Sequence, residues 1–422
     1  MSLGFGFSLP AYLGSGGAFA GATLNLDFTS GNQTLDPRIT FTRSTTATFT
    51  GSNGLIQTAA IDAPRFDYNP TTLASLGLLI EEQRVNLWTY SEQFDNAAWT
   101  KTNSSITANT VIAPDGALTG DKITSNISQL GFVVQSLSQT TGTAYTVSVY
   151  AKAGEYNFCQ LRITGTVVAS ITRAYFNLAN GTTTGVANCT ASITPAGNGW
   201  YRCSITYTTV ATATASPRIY GQVNASDTVG DGTSGIYIWG AQLEAGAFAT
   251  SYIPTVASQV TRAADFASIT GTNFSSWYNA TEGAFYASVV LSQPPALTGS
   301  ATIYAASNNT NSNRISVLCG SGGGGNINAL VTTGGVLQAQ TINGGLATAG
   351  TYQYANAYQV NNFASSANGG TVATDTSGTV PTIDRLYFGA TSTGSPTLNG
   401  HIRQIAYYPR RLANAELQGI TA

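Results

Sequence analysis

The stretch Ala144-Tyr145-Thr146-Val147-Ser148-Val149-Tyr150-Ala151-Lys152 decides the fold class. Tyr145, Val147, Val149 and Ala151 fall on one side of an extended chain, and Thr146, Ser148, Tyr150 and Lys152 on the other. Period-two alternation is the signature of a half-buried strand, whereas a helix would repeat its apolar residues at three and four. Trp200 to Thr208 repeats the pattern: Tyr201, Cys203, Ile205 and Tyr207 oppose Trp200, Arg202, Ser204, Thr206 and Thr208. Strands of this kind belong to antiparallel sheets with one face on a core. Turn signals recur between them at Ala179-Asn180-Gly181, Gly197-Asn198-Gly199 and Gly230-Asp231-Gly232, a spacing that predicts a sandwich or jelly roll.

Composition extends that reading to the whole chain. Of 422 residues, 42% are hydrophobic and only 9% charged, against about 25% charged in an average domain. The polar surface is therefore built from Thr, Ser, Asn, Gln and Gly, the residues of strands and turns. The class is all-β, and the length suggests several domains. Net charge is −2, and no run of Lys or Arg offers a polyanion its footprint, so nucleic acid is not an expected partner. No apolar run reaches 18 residues, so no membrane insertion is expected. No cofactor or metal motif stands out. A surface poor in Lys and Glu has lost a usual deterrent to association, which favours assembly.

The chain divides into four parts. Residues 1–22 are apolar and Gly-interrupted, with no basic residue before Arg38, and read as a flexible attachment arm rather than a secretory signal. Residues 23–88 read as a small β-rich region, 89–265 as one β-sandwich and 266–422 as a second, with a short helix near Asn414 to Gln418. The cysteines Cys189 and Cys203 flank the turn Pro195 to Gly199 symmetrically, and are either a cross-strand bridge or two small buried side chains.

Several motifs resemble a module of tailed-phage head spike fibre and tail fibre proteins. They are Phe41-Thr42-Arg43-Ser44-Thr45, Pro64-Arg65-Phe66-Asp67, Ile80-Glu81-Glu82-Gln83-Arg84 with Tyr90 to Trp99, Ile238 to Gly246, and Thr250-Ser251-Tyr252 running on to Val260-Thr261-Arg262-Ala263-Ala264-Asp265. The resemblance covers roughly residues 24–265 and implies a carbohydrate-binding-like sandwich. The ending Leu398 to Arg403, Pro409 to Leu412 and Ala415 to Leu417 resembles a laminin-G or concanavalin-like sandwich. Val85 and Trp88 depart from the module's usual Thr and Leu. Ala413 replaces a helix-capping Ser, which should cost about 1 kcal/mol locally. What the resemblance implies is a structural protein at the virion surface, a homotrimer joined to other virion proteins through residues 1–22. Its sandwiches would adhere to host surface glycans or decorate the particle. A glycan-degrading depolymerase is the alternative.

Chemistry is sparse. His401 has no acidic neighbour in sequence and reads as structural. Glu81 and Glu82 would point to opposite faces of a strand, which suits a glycosidase pair poorly, and a structural role with Arg65 or Arg84 fits better. Asn224, Asp227 and Asp231 form an acidic loop without the spacing of an EF-hand. The Gly320 to Gly325 run lacks the Lys and Ser/Thr of a phosphate loop. Tyr150, Trp200, Lys152 and Arg202 sit together on the polar side of their strands. They form either a sugar-stacking face or a packed layer, since interfaces also favour Tyr, Trp and Arg.

Overall fold

A computed structural model of the chain describes residues 19–31, 33–291, 300–320, 325–344, 349–395 and 397–422. Most of the expected arm and the centre of the Gly320 to Gly325 run lie outside the described residues. All the ladders between named strands are antiparallel, and among the described residues two short helices interrupt them: α1, Thr272–Ser275, and α2, Asn414–Ile420. The all-β reading holds. None of the described helices is long and apolar enough to cross a membrane.

Two β-sandwiches are present, but they are not laid end to end. The chain builds the edges of one sandwich, leaves it to build the other, then returns to complete the first. Leu24–Asp27 pairs with the last strand, Gly400–Tyr408, in the register Leu24↔Tyr407 and Leu26↔Ile405. Ser75–Ile80 continues along the same edge, with Leu78 opposite Ile402 and Ile80 opposite Gly400. Thr40–Thr42 joins the facing sheet through Phe266–Thr270. Residues 23–88 therefore do not form a separate β-rich region. Leu24–Asp27, Thr40–Thr42, Phe66–Tyr68 and Ser75–Ile80 are split between both sheets of the C-terminal sandwich, here called the frame, while Ala47–Thr50 and Ile56–Ala59 form a hairpin of their own.

The physical reason is burial. Leu24, Leu26, Leu78 and Ile80 are each at most 4% exposed and pack in one core with Phe285, Ile303, Leu386 and Ile402. Gly77, at φ +104°, is needed where Ser75–Ile80 bends against the last strand. A Cβ there would sit 2.3 Å from the Ile402 carbonyl oxygen. On the outer side of this sheet, Leu417 of α2 packs with Tyr286, Ala406 and Tyr408. Phe19 stacks on Tyr286 at 4.9 Å, so residues 19–22 belong to the frame and not to an arm. The missing cap at Ala413 is half replaced, because its N–H donates to Glu416 Oε2 at 2.7 Å.

The second sandwich is an insertion. It enters and leaves through a two-stranded neck, Arg84–Asn86 against Val260–Arg262. One of its sheets runs Thr190–Pro195, Trp200–Thr208, Ala144–Lys152, Gly235–Ala245, Gly120–Ser125 and Ser104–Val111. The other centres on Phe158–Thr164, flanked by Thr172–Asn177 and Ala213–Gln222, with Thr182–Ala187, Phe132–Val134 and Thr100–Thr102 outside them. Val147, Val149, Cys203 and Ile205 face its core, as their alternation predicts. Trp99 at the end of the Tyr90 to Trp99 motif packs in this core with Trp88 and Phe94, and donates to the Tyr90 carbonyl at 2.9 Å.

The cysteine expectation is corrected by two residues of register. Pro195 pairs with Tyr201, which centres the hairpin on Asn198, so Cys203 lies opposite Ile193 and not Cys189. The turn uses Gly197, Asn198 and Gly199, all at positive φ. All four cysteines are free thiols. Cys203 instead meets Cys159 across the core, and burial first, then that thiol, pushes it well above its ordinary pKa.

Candidate functional site

The motifs behind the family resemblance converge on one buried place, the junction of neck and frame. Asp265 accepts from Arg43 Nη1 at 3.0 Å, from Arg65 Nη2, and from the Glu81 N–H at 2.9 Å. Arg65 Nη1 also donates to Glu81 Oε2 at 2.8 Å and to the Thr48 carbonyl at 3.0 Å. Ser251 donates its N–H and hydroxyl to the two Glu81 oxygens at 2.8 and 2.7 Å. Arg262 Nη2 donates to the Glu82 carbonyl at 2.7 Å and lies 3.6 Å from Glu81. Burial alone would raise the Glu81 carboxyl, but the Arg262 and Arg65 charges and the Ser251 hydrogen bonds reverse it and hold it far below the usual range. Nothing here opens to solvent, so the cluster is a structural lock. The Glu81 and Glu82 carboxylates pair with Arg65 and Arg84 respectively, in agreement with the sequence reading.

The four sequence-predicted site residues do meet, with Tyr150 opposite Arg202 and Lys152 opposite Trp200. Their face is covered. Tyr150 is 6% and Trp200 1% exposed, and both pack with Trp239 and Tyr252 and against Ile56 of the N-terminal hairpin Ala47–Thr50/Ile56–Ala59. Trp200 donates to the Ile112 carbonyl at 3.0 Å, and Arg202 donates to the Thr250 carbonyl at 2.5 Å while lying over the Tyr150 ring. Burial withdraws both ring faces from any sugar, and the packed-layer alternative holds. Lys152 is half-buried, as is Tyr237, its partner across the ladder at the edge of this cluster. His401 is buried too, with Nε2 2.8 Å from Asp67 Oδ2. The acidic loop also divides: Asp231 accepts from the Thr233 and Ser234 N–H groups in its own turn, while Asp227 turns to the sheet.

Cavities offer no alternative. The two best formed hold about 10 and 50 Å³, far below the ~300 Å³ of a small-molecule pocket.

One face carries convergent chemistry, although Tyr175, Tyr220, Gln160 and Gln222 on it are buried and its arginines and Phe132 are only partly exposed. It is the outer side of the inserted domain's second sheet. In the core-facing phase Cys159, Leu161 and Ile163 alternate with Gln160, Arg162 and Thr164, which point outward. Register then aligns Arg173, Arg162 and Arg218 as one row across three adjacent strands. The next row is Tyr175, Gln160, Tyr220 and Phe132. Arg218 lies 4.3 Å over the half-buried Phe132 ring, which packs on Tyr220 at 5.0 Å. Arg162 and Arg173 keep 23% and 28% of their side-chain surface exposed.

Polar groups here are left over. Gln160 and Gln222 are fully buried, yet Gln160 Oε1 and Gln222 Nε2 have no hydrogen-bond partner, and neither do the Nε atoms of Arg173 and Arg218. Buried polar atoms are satisfied in the large majority of cases; these four share one face, and others occur elsewhere, including the Nε atoms of Arg65 and Arg262 in the lock. Forked guanidiniums recognise carboxylates with paired hydrogen bonds, and a lysine could not substitute. Sequence reasoning missed this face. A signal was present, since Arg173-Ala174-Tyr175 and Arg218-Ile219-Tyr220 repeat the same outward spacing, and Gln160-Leu161-Arg162 carries it too.

No family model matches the chain, and no curated protein matches it. Among solved structures, the CBM40 module of a Ruminococcus gnavus IT-sialidase aligns with 36% of this chain and 88% of its own, at 14% identity and TM-score 0.30. A Trypanosoma rangeli sialidase aligns over 71% of this chain and 60% of its own, at 10% identity and TM-score 0.28. Domains LG4-5 of the mouse laminin alpha1 chain align over 67% and 89%, at 9% identity and TM-score 0.24. Likenesses at these scores carry no argument about this chain.

Proposed function

We propose that this chain is a non-catalytic glycan-binding protein of a tailed-phage particle, and that it grips its glycan on the outer arginine face of the inserted sandwich. The observation that carries the glycan reading is the aligned row Arg173, Arg162 and Arg218 beside Phe132, Tyr220 and Gln160, whose Oε1 has no partner. Guanidiniums and amides serve sugar oxygens, and a half-buried ring serves sugar C–H surfaces. The phage reading rests on the sequence motifs, whose residues gather in the junction lock. Attachment to head or tail proteins through the N-terminal segment and assembly as a homotrimer belong to the same proposal.

The test is binding of the isolated protein to host surface polysaccharide, with glycan length followed in parallel. Saturable binding is expected, and Arg162→Ala should weaken it about tenfold or more, as hydrogen bonds to a charged group are worth ~1.5–3 kcal/mol. Absence of saturable binding would overturn the adhesive reading, and shortened glycan chains would replace it with a depolymerase. The attachment proposal has its own check. Removing residues 2–18 spares Phe19 and Ala22, which pack on the frame. It should leave a folded protein that no longer joins the particle, and normal incorporation would sink the arm.

A further inference from the structure

The arginine face is not free. After Gln222 the chain turns back over the sheet, and residues 223–227 are exposed on their outer side. The inner side is pinned at one point by Gln222, whose Oε1 accepts from the Thr228 N–H and hydroxyl at 3.0 Å each. The other pin is the Asp227 carboxylate. It accepts from Tyr175 at 2.7 Å, Gln160 at 3.0 Å, Arg162 at 3.1 Å and Arg173 at 3.3 Å. Hydrogen bonds from Tyr175 and Gln160 and the two arginine charges outweigh its burial and keep it ionised, below its ordinary pKa.

Resting on the glycan reading above, we propose that Asp227 is an internal stand-in for a ligand carboxylate, and that the face selects acidic glycans whose uronate group displaces this strap. Four donors from two strands converge on one carboxylate that is carried by a loop and not by the sheet. That arrangement is a carboxylate-binding site already filled. Balance of charge agrees, because three arginines face one acid and a second anion is accommodated. The unpartnered Gln160 Oε1 and Gln222 Nε2 supply an acceptor and a donor for neighbouring hydroxyls once the strap lifts. A neutral glycan gains nothing from displacing Asp227, whereas a uronate replaces the interactions it breaks. The strap thus lowers affinity by the fraction of time it stays shut.

The experiment is calorimetry with oligogalacturonate and with its fully methyl-esterified counterpart, which has the same ring and no charge. Asp227→Asn keeps the loop's shape and removes the competing charge. It should tighten oligogalacturonate binding by about tenfold and leave the ester unchanged, while Arg162→Ala abolishes the preference. Hydrogen exchange in residues 223–229 of the unmodified protein should rise when oligogalacturonate binds. Weaker or unchanged oligogalacturonate binding by the Asn variant overturns the strap proposal. If both proteins bind the ester as well as the acid, the glycan reading stands and the acidic preference falls. If neither sugar binds any variant, both fall.

Discussion

Asp265→Asn should destabilise the protein by about 3–5 kcal/mol, the usual result of removing one partner from a buried ionic cluster. Arg43, Arg65 and Arg262 are each at most 1% exposed, and Asp265 and Glu81 are the carboxylates that face them. The variant leaves three guanidiniums against one acid in a place that water does not reach. Asparagine can still accept the Glu81 N–H, so what is lost is charge and not shape. Arg43, already lowered by burial and offset mainly by Asp265, is the group left most exposed to the change. Urea unfolding at constant slope measures it. Asp384→Asn is the control, since the Asp384–Arg385 pair is at the surface with Asp384 58% exposed, where pairs are worth ~0–1 kcal/mol. A loss at Asp265 no larger than at Asp384 would refute the lock.

Residues 266–422 expressed alone should fail to fold, whereas residues 84–262 should fold cooperatively. The first fragment matches the boundary that the sequence suggests, yet it lacks the strands that cover one edge of Gly400–Tyr408. It also loses Leu24, Leu26, Leu78 and Ile80 from its core. Each contributes about 1.5–3 kcal/mol, so the four together rival the ~5–15 kcal/mol net stability of a domain. The second fragment keeps both of its sheets and the paired neck. Near-UV circular dichroism and denaturant titration of the two fragments decide it. A cooperative transition in 266–422 would restore the sequence-based boundary.

Local physics was legible in the sequence and long-range pairing was not. Alternation placed Val147, Val149, Cys203 and Ile205 on the core face because parity along a strand needs no partner. The same parity put Tyr150 and Trp200 on a polar side, where solvent was one option and another layer the other. Nothing local says that Ile56 of the N-terminal hairpin will cover them. Leu24 meets Tyr407 across nearly the whole chain, and no spacing rule reaches that far. The arginine row is an intermediate case. Each Arg sits two residues from a Tyr or Gln, which is visible, but their alignment depends on registers that only the folded sheet supplies.

The neck also has a mechanical meaning. Arg84–Asn86 and Val260–Arg262 lead from the same root into the same domain, and both are anchored there by the arginine lock. Under the proposed function, tension between an attachment on the frame and a grip on the inserted sandwich would be carried by two covalent chains at once. Neither strand is peeled from the other, and the ionic root bears the load before either core does. A tether built this way holds its grip as one piece when pulled.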